Sequence, residues 1–136
     1  MSLTEESQRP PAILVVEDDM GIASFLLEAL SLVMPYEIVL EADSLRALQI
    51  AKEVNPILFL FNYNLPHMNG IELYDRLHAM PGLEYVPAII ISAHLPEQAV
   101  QQRNIIGLSK PFSLKQLLGT VEQLLAQSRT HRNLDS

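Results

Sequence analysis

Ala12-Ile13-Leu14-Val15-Val16-Glu17-Asp18-Asp19 sets five consecutive apolar residues directly against three carboxylates. An apolar run of that length without polar alternation is what a parallel strand covered on both faces looks like, and the acidic residues then fall at its carboxyl end. Four further runs of strand length follow: Glu37 to Leu40, Ile57 to Phe61, Ala88 to Ile91 and Ile105 to Leu108. The third and fourth strands, like the first, are continuously apolar.

The intervals between these runs carry helical patterns. From Asp19 to Met34, residues Ile22, Leu26, Ala29, Leu30 and Val33 form one stripe, and Pro35 ends it. Ser44 to Val54, capped by Asp43 or Ser44, includes Leu45, Leu48 and Val54, after which Pro56 returns the chain to extended geometry. Asn69 to Met80 brings Ile71, Leu73, Tyr74 and Leu77 before the turn signal Pro81-Gly82. Ser113 to Gln127 opens with the capping-box pattern Ser113-Leu114-Lys115-Gln116 and keeps Leu117, Leu118, Val121, Leu124 and Leu125 at helical spacing. The remaining slot, Pro96 to Arg103, has room for only about two turns.

Strand and helix thus alternate five times, which implies a parallel sheet with right-handed crossovers. The expected class is α/β: a doubly wound five-stranded sheet of order 2-1-3-4-5, a flavodoxin-like three-layer α/β/α fold with a shortened fourth helix. Its ligand crevice lies at the carboxyl ends of strands 1 and 3, where the winding reverses. Residues 11–128 form this domain, residues 1–10 read as a polar N-terminal tail, and residues 129–136 as a C-terminal tail or linker stub.

Composition narrows the function classes. With 136 residues, 49% of them hydrophobic, the chain suffices for one core without staples, and the absence of cysteine removes disulfide and thiol chemistry. No apolar run approaches the length of a membrane span and no export signal is visible, so the expected location is the cytoplasm. A net charge of −7, with nine scattered Lys and Arg residues, argues against direct nucleic-acid binding.

Chemistry should therefore be sought where the strands end. Glu17, Asp18 and Asp19 repel one another unless a proton or cation intervenes, which suits a hard divalent ion; equally, Asp18 or Asp19 caps the first helix while the others are solvated. Strand 3 delivers Asn62-Tyr63-Asn64-Leu65-Pro66-His67-Met68-Asn69-Gly70, strand 4 delivers Ser92, and strand 5 delivers Ser109-Lys110-Pro111-Phe112. Singly each is ordinary turn or surface sequence. Together they bring carboxylates, an amide, a hydroxyl and an ammonium to one edge of the sheet. His67, His78 and His94 lack ligand spacing and read as surface or loop residues, His94 being the one near the crevice. The first helix is unusually apolar: eleven of the fifteen residues from Met20 to Met34 are hydrophobic and Glu28 is its sole charge, so Met20, Leu27 or Met34 either presents apolar surface or is broadly buried.

Ile13 to Asp19, the loop Asn62 to Gly70, the hydroxyl in Ile90-Ile91-Ser92-Ala93 and the turn Lys110-Pro111-Phe112 resemble the receiver domain of two-component response regulators, over about Pro11 to Gln127. The spacings of 45 residues from Glu17 to Asn62 and 30 from Asn62 to Ser92 agree with that family. The resemblance implies that Glu17, Asp18 and the backbone carbonyl of Asn64 are the Mg²⁺ ligands. It further implies that Ser92 and Lys110 contact a phosphoryl group, with a cis peptide to Pro111, and that the first helix lies near the docking site of helical-bundle partners.

Three departures stand out. Asn62 occupies the position of the phosphorylated aspartate, and a neutral amide, its nitrogen lone pair delocalised, is a poor nucleophile toward phosphorus. The same change removes a negative charge from the metal site, so Mg²⁺ binding should be weakened or absent and no cofactor is required. Gly107 stands where receivers place a switch aromatic, and Ser92 to Lys110 spans only 18 residues, about one helical turn short. Loss of both acceptor and reporter points to divergence of the whole switch.

The function expected from the resemblance is a receiver domain in a phosphorelay that has become a pseudo-receiver: not an enzyme, but a phosphorylation-independent protein-interaction module. The implied partners are a histidine kinase, a phosphotransfer protein or another receiver, with a homodimer also allowed. The alternative is a conventional Asp-phosphorylated switch seen with an Asp-to-Asn change at residue 62. A flavodoxin-type nucleotide or flavin site is not expected, because carboxylates replace the phosphate-cradling loop after strand 1.

Overall fold

The computed structural model describes residues 9–135, with side chains described through residue 128. The sheet holds β1 (Pro11–Val16), β2 (Glu37–Glu41), β3 (Asn55–Asn62), β4 (Ala88–Ser92) and β5 (Ile105–Ser109), all parallel, in the order β2-β1-β3-β4-β5. This is the expected topology. The helices are α1 (Met20–Val33), α2 (Ser44–Ile50), α3 (Gly70–His78), α4 (Glu97–Gln101) and α5 (Leu114–Asp135).

Alternation along the central strands divides the core between the two faces of the sheet. Leu14, Val16, Phe59, Phe61 and Ile90 join Leu73, Tyr74 and Leu77 of α3 on one side, while Ile13, Val15, Leu58, Leu60 and Ile89 meet Leu26 and Leu30 of α1 and Leu117, Val121 and Leu124 of α5 on the other. Both faces of β1 and β3 are therefore dry, which is why those strands read as unbroken apolar runs. The strands at the two sheet edges carry the partly exposed positions. Pro56 lies inside β3 rather than before it, and the pairing with β1 skips Ile57 there.

Several element ends differ from the sequence reading. The second helix stops at Ile50 instead of Val54, with a turn at residues 51–53, and α4 covers five residues instead of the expected two turns. Short helices leave no margin for fraying, and Pro96 caps α4 without any side-chain bond. At the other extreme, α5 runs past Gln127 to Asp135, so the segment read as a tail is helical as far as that residue; no glycine or proline follows Gly119 to stop it. Residues 1–8 of the expected N-terminal tail, and Ser136, lie outside the described residues. Arg9, at the described end of that tail, donates from Nη1 to the carbonyl of Lys52 at 2.9 Å. No helix among the described residues is long and apolar enough to cross a membrane.

Candidate functional site

The carboxyl ends of β1, β3, β4 and β5 meet at one edge, and the side chains following them are held by short local bonds. Glu17, directly after β1, is 3% exposed, and its backbone N–H bonds the carbonyl of Glu41 at 3.0 Å. Asn62, the last residue of β3, donates from Nδ2 to Glu17 Oε2 at 2.8 Å. Burial raises the Glu17 pKa, and the Asn62 bond and the Lys110 charge oppose that rise. Glu17 is thus a desolvated carboxylate whose negative charge is offset by the Asn62 amide, the Lys110 ammonium and the backbone N–H of Asp19.

Asp18 is exposed and raises the Glu17 pKa as a like charge, so it belongs to the same electrostatic site. Asp19 contributes its backbone to Glu17, while its side chain turns to the helix. Its Oδ1 accepts from the backbone N–H of Ile22 at 3.0 Å as the cap of α1, which is the capping alternative that the sequence left open for Asp18 or Asp19. Among the described residues, no three His, Cys, Asp or Glu side chains gather so as to hold a metal ion.

Ser92 ends β4 with 2% exposure. Its hydroxyl is used locally, accepting from the backbone N–H of His94 and donating to the carbonyl of the same residue, both at 3.1 Å. It is the backbone of His94 that bonds Ser92. Lys110 is placed beside β4 by a 3.0 Å bond from its N–H to the Ser92 carbonyl, and the Lys110-Pro111 peptide is cis, as the resemblance implied. The structure therefore brings Glu17, Asn62, Ser92 and Lys110 to one edge. Asn64 lies exposed in the loop after β3. Gly107 stands away from that edge, within β5 opposite Ile90, and Leu95 covers it.

Four residues, Gly70, Ser44, Asp43 and His67, hold the loop after β3 in place, a role that the sequence reading did not give them. Gly70 approaches β3 so closely that a Cβ there would fall 2.8 Å from the Asn62 carbonyl oxygen, and its N–H bonds the Tyr63 carbonyl at 2.8 Å. Ser44, weighed only as a helix cap, is fully buried and donates to the carbonyl of Met68 at 2.9 Å; Asp43 supplies the cap instead, accepting from Leu45. Asp43 Oδ1 also meets His67 Nδ1 at 3.0 Å, with His67 at φ 73°. The Asp43 carboxyl is held below the usual range, first by the His67 bond. Two clips thus join the loop after β3 to the start of α2. The sequence signal for Gly70 was its place directly after Asn69, whose side chain forms a capping box with Glu72.

A five-stranded doubly wound sheet with a buried acid, an amide, a hydroxyl and a lysine at the crossover edge defines a signalling domain of receiver type. The family model for the response regulator receiver domain matches residues 13–122, and the chain belongs to that family. It is 28% identical to the polar-differentiation response regulator DivK of Brucella anthropi, covering 88% of this chain and 99% of that one. It is 25% identical over 96% of its length to the hybrid signal transduction histidine kinase D of Dictyostelium discoideum, of which it spans only 8%. The crystal structure of the signal receiver domain of an HD domain-containing protein from Pseudomonas fluorescens Pf-5 superposes with a TM-score of 0.79 at 25% identity, covering 93% of this chain and 94% of that one.

Proposed function

We propose that this receiver domain is a pseudo-receiver: a protein-interaction module of a two-component or phosphorelay pathway that works without phosphorylation at residue 62. The observation that carries this reading is the 2.8 Å bond from Asn62 Nδ2 to Glu17 Oε2 at the carboxyl end of β3. A receiver needs a carboxylate oxygen there to attack phosphorus, and Asn62 instead presents an amide whose nitrogen serves as a donor to the neighbouring acid. On this reading Ser92 and Lys110 are former phosphoryl-contact residues and Gly107 a former switch position.

The metal ligands of the proposal are Glu17, Asp18 and the Asn64 carbonyl, and the Asn62 bond bears on their fit. An N–H is directed at a Glu17 oxygen that Mg²⁺ would need, so a cation would have to displace that bond, and the donor set has one carboxylate fewer than with an aspartate at 62. Mg²⁺ is accordingly weak or dispensable in the proposal.

The partners proposed are a histidine kinase, a phosphotransfer protein or another receiver, and homodimerisation remains compatible. Support comes from the likeness to a hybrid histidine kinase and from α1, where Met20, Phe25, Leu27, Leu32 and Val33 leave apolar surface exposed. Of the three residues for which the sequence left exposure or burial open, Met20 and Leu27 are exposed and Met34 is buried. The proposed location is the cytoplasm.

The reading is tested by incubating the chain and Asn62→Asp with acetyl phosphate and Mg²⁺, followed by intact-mass analysis. The expected result is no added phosphoryl group on the unmodified chain and labelling of Asn62→Asp. A stable phosphoryl adduct on the unmodified chain overturns the proposal and favours an acceptor elsewhere.

A further inference from the structure

Gly107 is a glycine without a backbone reason to be one. Among the described residues only Gly82 is a glycine with positive φ, so β5 would accept any L-residue at 107 as far as its dihedrals go. What a side chain there would meet is Leu95. A Cβ on Gly107 would lie 3.0 Å from Leu95 Cδ1 and 3.3 Å from Cδ2, so the isobutyl group already fills the space over the glycine. Leu95 comes from the loop between β4 and α4, three residues after Ser92, and packs with Ala99 and Val100 of α4 against the same core cluster.

Both ends of this segment are tied down. Upstream, Ser92 and His94 close a tight turn through two 3.1 Å bonds. Downstream, Arg103 donates to both carboxylate oxygens of Asp75 on α3 and to the Ala99 carbonyl, all at 2.8 Å, and the Tyr74 hydroxyl engages the backbone of Asn104. A shortened α4 would fray if left alone; here Leu95 at its entrance and Arg103 beyond its exit hold it on α3 and β5.

We propose that Leu95 is a fixed plug: by occupying the space over Gly107 it locks the β4–α4 loop, so that events at the crevice do not reach the α4–β5 surface even when a phosphoryl acceptor is restored. This rests on the assignment of the crevice as a former phosphorylation site, but the plug itself is tested without any phosphorylation.

The test is amide hydrogen exchange on Gly107→Phe, Leu95→Ala and the double variant. In Gly107→Phe the ring must evict Leu95, and exchange at residues 95–101 should quicken at least about tenfold; the double variant, where the ring takes the vacated space, should return to within about threefold of the unmodified chain. Unchanged protection in Gly107→Phe, or a double variant no better than the single one, overturns the plug. Should Gly107→Phe not fold, Gly107→Ala serves: its Cβ asks Leu95 to yield a few tenths of an ångström, and the double variant with Leu95→Ala should lose less stability than the sum of the two single losses, additivity being the refuting outcome. Transmission is read in Asn62→Asp labelled by acetyl phosphate. Exchange at residues 97–108 should stay within about twofold on labelling and change several-fold only when Leu95→Ala is also present, while a change with Leu95 intact, or none in either protein, overturns the lock. Failure of Asn62→Asp to label speaks against the crevice assignment alone and leaves the plug to the unphosphorylated comparison.

Discussion

Replacing Asn62 by Asp should make the stability of the chain depend on a bound metal ion. In the unmodified chain Asn62 Nδ2 lies 2.8 Å from Glu17 Oε2, and Glu17 is 3% exposed. The substitution removes a hydrogen bond to a charged acceptor, worth about 1.5 to 3 kcal/mol, and sets a second carboxylate against the first. Unscreened, two such charges would repel by several kcal/mol at an effective dielectric of about 20, a cost the pair can relieve by separating or by sharing a proton. A net loss of roughly 2 to 4 kcal/mol at pH 7 in chelator is therefore expected, or on the order of 10 °C in Tm for a chain of this size. Adding Mg²⁺ to the variant at about a hundred times its Kd should return about 2.7 kcal/mol. The same addition should leave the unmodified Tm almost unmoved. Differential scanning fluorimetry with and without EDTA reads both effects. Equal melting of the two proteins in EDTA, or an equal Mg²⁺-induced rise in both, would refute the idea that the Asn62 amide stands in for a cation.

Gly70→Ala should lower stability by about 1 to 3 kcal/mol, because its Cβ meets the Asn62 carbonyl oxygen at 2.8 Å and that atom belongs to the β3 backbone; a denaturation midpoint unchanged from that of the unmodified chain would contradict the close approach. Glu17→Gln keeps an acceptor for Asn62 and removes a charge that burial disfavours. Because the Glu17 pKa is raised above its ordinary value of 4.5, the penalty is absent below that value and grows as pH rises through the folded pKa. The stability of Glu17→Gln relative to the unmodified chain should therefore be most favourable at neutral pH and decline toward pH 4.5, and urea midpoints across that range would expose the opposite slope. Asp75→Asn should loosen α4 at neutral pH while costing less than about 1 kcal/mol overall, the carboxylate being half exposed. Arg103 holds Asp75 below its usual range, so the contribution should fade as pH falls below about 3.8, measurable as faster exchange at residues 97–101.

The strands and their order were legible because burial on both faces writes a simple pattern: Ile13 and Val15 face one helix layer, Leu14 and Val16 the other, and none can be polar. Helix ends were less so, since they depend on single bonds. The sequence Asp43-Ser44 fits two caps equally well, and only the three-dimensional fact that Ser44 reaches Met68 assigns the role to Asp43. The convergence of Glu17, Asn62, Ser92 and Lys110 followed from topology, because each ends a strand of one parallel sheet. The conduct of each group there did not. Whether Asp19 faces the crevice or caps α1, and whether Ser92 points toward Lys110 or back to His94, is decided by loop geometry that no local pattern encodes.

Those choices share one direction. A site poised for a phosphoryl group keeps donors and acceptors open for ligand oxygens and for a cation. In this crevice the Asn62 N–H is bonded to Glu17, the Ser92 hydroxyl both donates and accepts within its own turn, and Asp19 serves its helix. Among the described residues, no buried side-chain nitrogen or oxygen lacks a partner. An incoming anion would have to break the Ser92 turn, and a cation would have to displace the Asn62 N–H from Glu17, before either gained a contact. For the anion, the hydrogen bonds broken in the Ser92 turn offset much of what the new ones return, since an intramolecular hydrogen bond and its replacement differ little in net free energy. Retaining the acid, the hydroxyl and the lysine is therefore compatible with a crevice that stays closed, because Glu17 takes the Asn62 N–H, the Ser92 hydroxyl closes its own turn and the Lys110 charge offsets that of Glu17.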